Sequence, residues 1–154
     1  MLESKVSEIL ENILGLLNLE GSFEVAEEEE LINVSIETED AGRLIGRQGE
    51  TLSALQLLVN QILSRQIQLE GDESLKFKKV IIDVSNWRKQ KEDDLASRTQ
   101  KWIEQVKQSG EPLELEPMPA WQRRVVHLEV EKAEGVTSES TGEGEERHLI
   151  IKKI

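Results

Sequence analysis

Two short stretches of this chain carry residue types and spacings suited to holding a phosphodiester. The first is Gly46-Arg47-Gln48-Gly49, with Arg43 just ahead of it. Glycines leave room for a ligand's backbone to approach, and arginines add cationic, forked donors. A helix starting directly after Gly49 would aim its unpaired N–H groups and positive dipole end at the same ligand. A lone G-x-x-G is nevertheless more commonly a joint between two helices, whose glycines serve only its dihedrals. The second stretch holds Arg123 and His127, four residues apart and therefore on one face of a helix, with Arg124 alongside. A guanidinium and an imidazole in that arrangement can grip a phosphate and stack on a base. The competing reading of an isolated pair is a surface arginine beside a histidine that satisfies a local hydrogen bond.

Other chemistries find little support. The chain has no cysteine, which removes disulfides, Cys-ligated zinc, iron–sulfur centres and thiol nucleophiles. His127 and His148 are its only histidines, and no H-x-x-x-H or H-E-x-x-H spacing exists to hold a metal. No serine sits in a G-x-S-x-G elbow, and there is no P-loop. Gly142-x-Gly144 lacks the third glycine and following helix of a dinucleotide site, and the run Glu27 to Glu30 lacks the spaced ligands of a calcium loop. The expectation is a protein that is not an enzyme and uses no cofactor or metal.

Charge is unevenly spread. The 154 residues carry a formal net charge of -12, yet residues 1 to 40 hold 12 acidic side chains against Lys5 alone. The remainder, with 19 acids and 18 bases, is nearly neutral, and Lys76 to Lys107 contains nine bases and five acids. A locally basic surface on a globally acidic chain is therefore compatible with a phosphate-bearing partner. No apolar run is long enough to span a bilayer, and the N-terminus lacks the basic start and apolar stretch of a secretory signal, so a cytoplasmic protein without membrane insertion is expected.

The elements that must position these residues follow from periodicity. Val6, Ile9, Leu10, Ile13, Leu14 and Leu17 mark an amphipathic helix ending before Gly21. Phe23 and Val25, then Ile32, Val34 and Ile36, alternate as two strands around a solvated turn at Glu27 to Glu30. Asp40 is placed to cap a short helix through Ile45. After Gly49 a longer helix is expected to bury Leu52, Leu55, Leu58, Val59 and Ile62, turning Ser53, Gln56, Asn60 and Gln61 outward. Val80 to Val84 is a β-branched central strand. Ser85-Asn86 offers capping side chains to a helix bearing Leu95, Thr99, Trp102, Ile103 and Val106, which Gly110 and Pro112 stop. A short strand around Leu113 to Leu115 precedes a helix opened by Pro119 and carrying Trp121, Val125 and Leu128. Val136 to Ser140 and Leu149 to Ile154 pair as a hairpin. The result is an α+β chain of two abutting modules, α-β-β-α-α-β over residues 1–84 and α-β-α-β-β over residues 85–154. Trp87, Trp102 and Trp121 are candidate stacking platforms, with packing the simpler role for Trp102.

In this context Gly42-Arg43-Leu44-Ile45-Gly46-Arg47-Gln48-Gly49 resembles the G-x-x-I-G-x-x-G core of KH domains, and the first element order is similar to the type II KH arrangement. The resemblance implies that Gly46, Arg47, Gln48 and Gly49 clamp the backbone of about four nucleotides. Pro117-Met118-Pro119-Ala120-Trp121-Gln122-Arg123-Arg124-Val125-Val126-His127 resembles the signature of the single-strand-binding domain named for an arginine and a histidine separated by three residues. A KH domain followed by that domain is similar to the bacterial Jag family, also called SpoIIIJ-associated or KhpB-type RNA-binding proteins, with Asp83 to Arg88 and Ser140 to Gly144 as supporting stretches. The likeness covers about residues 30 to 154 and implies a single-stranded RNA partner, with single-stranded DNA as a second substrate class. The implied site residues are Arg43, Gly46, Arg47, Gln48, Gly49, Arg123, Arg124 and His127. It also implies an RNA chaperone or a regulator of cell elongation and wall synthesis, paired with a small KH-domain protein. The separate N-terminal domain and basic linker of longer family members are not expected here. An interaction module that pairs with another KH protein, with nucleic acid secondary, is the alternative.

Overall fold

The computed structural model describes residues 1–154 as two compact units, Met1–Arg88 and Lys89–Ile154. In the first, α1 (Leu2–Leu16) leads into β1 (Ser22–Glu27) and β2 (Leu31–Glu37), then α2 (Ala41–Ile45), a single 3₁₀ turn at Arg47–Gly49, α3 (Glu50–Glu70) and β3 (Lys79–Val84). The sheet order is β1-β2-β3, with β1 antiparallel and β3 parallel to the central β2. Ile32, Val34 and Ile36 of β2 and Val80, Ile82 and Val84 of β3 share one face by strand alternation. They meet Leu2, Val6, Leu10 and Leu14 of α1 and Leu52, Leu55, Val59 and Leu63 of α3 in one core.

The stripe of α3 differs from the expectation at Leu58, which is exposed, while Leu63 is fully buried. Gln56 and Asn60 differ more consequentially: they do not face water. β3 is an outer strand, so alternate backbone groups point away from β2 and need partners. Asn60 provides them, its Oδ1 accepting from Val80 N–H at 2.8 Å and its Nδ2 donating to Val80 C=O at 2.8 Å. Gln56 Oε1 accepts from Ile82 N–H at 3.0 Å. Side-chain amides thus stand in for a fourth strand and lock α3 to the sheet. Asn60→Leu, which keeps the size but strands both Val80 groups, is expected to cost about 2 kcal/mol in denaturant unfolding. An unchanged midpoint would show that the amide contributes nothing net.

Two expected caps are supplied differently. The Asp40 side chain makes no cap hydrogen bond to the backbone of α2; its carbonyl instead receives Arg43 and Leu44 N–H. Ser85 and Asn86 lie at φ 50° and 57°, left-handed values that turn the chain, and the N–H of Arg88 is instead received by Asp83 Oδ1 at 2.9 Å. The glutamate turn is not wholly solvated, since Glu27 pairs with Lys78 at 2.8 Å, whose hydrogen bond holds the Glu27 carboxyl below the ordinary range.

The second unit takes most of α4 (Trp87–Ser109), then β4 (Leu113–Glu114), α5 (Ala120–Glu131), β5 (Val136–Thr141) and β6 (His148–Lys153). Its sheet is antiparallel, in the order β4-β6-β5. Leu95, Ile103 and Val106 of α4 close over Val126, Val130, Val136, Leu149 and Ile151. Thr99, buried in the same stripe, satisfies its hydroxyl on Leu95 C=O at 2.7 Å. Trp102 is only half-buried, with the Arg98 guanidinium 5.1 Å from its ring centre. Pro119 is the N-cap of α5 rather than its first residue. The buried stripe of α5 is Gln122, Val126 and Val130, and Leu128 is exposed, so the helix is rotated from the expected Trp121–Val125–Leu128 face. Its rotation follows from what β5 offers to Arg123 and His127.

Candidate nucleic-acid interface

The glycine loop owes its shape to positions that a side chain cannot occupy. Gly46 adopts φ 70°, ψ −170°, a region open essentially to glycine alone. A methyl there would lie 2.1 Å from Thr51 Oγ1. Gly49 is left-handed at φ 81° and serves as N-cap of α3, and a methyl there would meet the Trp87 ring at 2.7 Å. Trp87 therefore packs directly on the loop, a support that its distance in sequence conceals. The ring is half-buried against the core of the first unit and is spoken for.

Between the glycines, Arg47 and Gln48 are both exposed, and Gln48 itself is left-handed at φ 52°. Arg47 forms no ion pair, whereas Arg43 lies a loose 3.9 Å from Asp40 and is equally exposed. No side chain caps α3; the N–H of its first residue, Glu50, is received by the Arg47 carbonyl, which ties the helix start to the loop. Chemically, the loop offers an uncommitted guanidinium, an amide and a helix N-terminus at a place where a backbone can approach closely. Gly49→Ala is expected to lose about 2–4 kcal/mol, from left-handed strain together with overlap on Trp87. Adding Trp87→Ala should relieve the overlap but not the dihedral strain, so the two losses, read by denaturant melts, should be less than additive.

In the second unit, Arg123 and His127 both turn toward β5. Arg123 Nη1 donates to Ser140 Oγ at 3.0 Å, and His127 Nδ1 lies 2.5 Å from Ser138 Oγ. The spacing has a simple origin. Four residues of helix rise about 6 Å and two residues of strand about 6.8 Å, so Arg-x-x-x-His and Ser-x-Ser run in step in opposite directions. Glu139, between the serines, projects to the other face and pairs with Lys152. With Nδ1 engaged by Ser138, His127 Nε2 has no protein partner, and a protonated ring presents it as a donor. Arg124 is exposed and unpaired. Glu129 is occupied by Lys132 at 2.7 Å, whose hydrogen bond holds that carboxyl below the ordinary range.

The eight expected site residues thus fall into two groups, one in each unit. Sequence reasoning offered Trp87 only as a stacking platform and gave no role to Ser138 or to the Ser140 hydroxyl; the structure shows these three side chains packed on or bonded to the site residues. The two serines were visible as an i, i+2 pair on a strand beside an i, i+4 pair on a helix, but only if the helix and strand were known to be adjacent. No helix in the chain is long and apolar enough to cross a membrane.

Comparison with known proteins divides the chain in the same order. Residues 3–70 match the family described as KhpA/KhpB, KH domain, and residues 93–153 match the R-three-H domain, the one named for the Arg-x-x-x-His spacing. An RNA-binding protein KhpB from Clostridium symbiosum is 31% identical over 152 residues, covering 97% of this chain and 65% of that protein. The Bacillus subtilis protein of the same name is 33% identical over 129 residues, 82% of this chain and 59% of its own length. Its Streptococcus pneumoniae namesake is 27% identical over 148 residues, 96% of this chain and 43% of that protein. The chain therefore spans between two-fifths and two-thirds of the length of these relatives. The glycine loop lies within the KH match and the Arg–His pair within the Arg-x-x-x-His match, and the chain belongs to the KhpB-type family, in which a KH domain precedes an Arg-x-x-x-His domain.

Proposed function

We propose that this chain is a non-enzymatic binder of single-stranded RNA. It grips the strand at the Gly46–Gly49 loop, with Arg43, Arg47 and Gln48, and again at Arg123, Arg124 and His127. The observation that carries this reading is the loop. Gly46 and Gly49 hold dihedrals and clearances that exclude side chains, while Arg47 and Gln48 stand exposed and uncommitted between them. Packing alone would not require exposed donors at that apex. The names of the relatives agree, each being an RNA-binding protein. The modules we assign are KH over residues 1–84, with Trp87 as its brace, and Arg-x-x-x-His over residues 85–154. A cytoplasmic location and a role in cell elongation and wall synthesis belong to the same proposal.

Filter binding with mixed single strands tests it. Micromolar or tighter affinity that weakens steeply with salt is the expected result, because counterions leave as phosphates are neutralised. Absence of binding at low salt, together with a stable complex to a small KH-domain protein, would instead favour a protein-pairing module. Single-stranded DNA in the same assay reports whether the 2′-hydroxyl is read.

A further inference from the structure

Ser140 receives a second arginine. Arg147, just before β6, donates its Nε–H to the same Oγ at 2.9 Å that Arg123 Nη1 reaches at 3.0 Å. A serine oxygen has two acceptor positions, and both are taken, so its own proton is left as a donor with no protein acceptor. Neither guanidinium forms an ion pair, including with the neighbouring Glu143, Glu145 and Glu146. Arg123 Nε is in addition buried without a hydrogen-bond partner. Two like charges are thereby gathered on one neutral atom with no counter-charge, an arrangement that a tetrahedral anion completes. Its oxygens can accept from both forks and from the hydroxyl between them.

We propose that Arg123, Arg147 and the Ser140 hydroxyl form one phosphodiester seat, in which Arg147, outside the Arg-x-x-x-His spacing, supplies a fork of its own. The identity of the ligand as a nucleic-acid strand rests on the function proposed above; the seat itself rests on the three side chains. Arg147 is exposed and its two Nη groups are uncommitted, so it can turn outward without breaking the sheet.

The test uses the full chain and a fluorescent oligouridylate, titrated across a range of salt. Arg147→Ala is expected to weaken binding about tenfold and to lower the salt slope by about 0.7, the share of one phosphate on a single strand. Arg147→Lys should keep the slope and recover only part of the affinity, since the charge remains but the fork is lost. If Arg147→Ala changes neither value while Arg123→Ala with His127→Ala weakens binding, Arg147 is merely a hairpin brace, and the proposed function stands without the seat. If the unaltered chain binds no single strand, the proposed function falls. The seat is then decided by the arginine Nε–Hε resonances during titration with inorganic phosphate. Joint movement of Arg123 and Arg147 supports it, and a stationary Arg147 overturns it.

Discussion

Replacing Arg47 and Gln48 together by aspartate is expected to lower the affinity for single-stranded RNA by about ten- to a hundredfold. The change removes the unpaired cation at the loop apex and sets two carboxylates where the strand's phosphates would lie. The fold should survive. Both side chains are exposed, and neither takes part in a hydrogen bond that holds the loop. Gln48 is left-handed, a conformation aspartate tolerates better than most residues, so the loop's path is kept. Thermal melting within a degree or two of the unaltered chain is the control. Full RNA affinity in a folded double variant would remove the glycine loop from the binding surface and leave its glycines as a helix joint.

The second large effect concerns strand length. Arg123→Ala with His127→Ala should weaken binding to a long single strand about tenfold or more, because the two sites belong to one chain and the second contact is intramolecular once the first is made. On a strand of about four nucleotides, the length proposed for the glycine-loop contact, the same change should matter little. The affected side chains are half-buried and lose their bonds to Ser140 and Ser138, so a stability loss of about 1 kcal/mol for each is expected alongside. Measurements are therefore made well below the melting transition. A uniform loss across sequences would mark a phosphate contact, whereas altered sequence preference would mark a base contact. Equal losses on short and long strands would show that the pair belongs to the same small site as the loop or only supports the fold, and would end the two-contact mechanism.

Both effects trace back to residues that are recognisable in one dimension. The G-x-x-G loop is legible because its glycines answer a local demand: dihedrals that other residues cannot adopt. The Arg-x-x-x-His pair is legible because helical spacing alone puts the two side chains on one face. The order of helices and strands follows from hydrophobic period, which is why both element orders read along the chain agree with the structure. None of these needs knowledge of a distant partner.

Tertiary contact governs the remainder, since it depends on which elements come to lie side by side. Gln56 and Asn60 look like solvent-facing polar residues until an unpaired strand edge is brought against them, where their amides complete backbone hydrogen bonding. Ser85 and Asn86 have cap chemistry but are drawn into left-handed backbone, leaving the acceptor's role at Arg88 to Asp83. The phase of α5 is set by three demands at once: apolar burial of Val126 and Val130, and serine partners for Arg123 and His127. An apolar count along the helix sees only the first of these, and so placed Leu128 inside. Trp87 and Gly49 lie far apart in the chain, and only the closed fold makes the absence of a side chain at Gly49 a matter of clearance as well as of dihedral freedom. Periodicity and dihedral preference act within a few residues; hydrogen-bond satisfaction and steric fit act across elements, and that difference in range separates the legible part of this protein from the part that had to be seen folded.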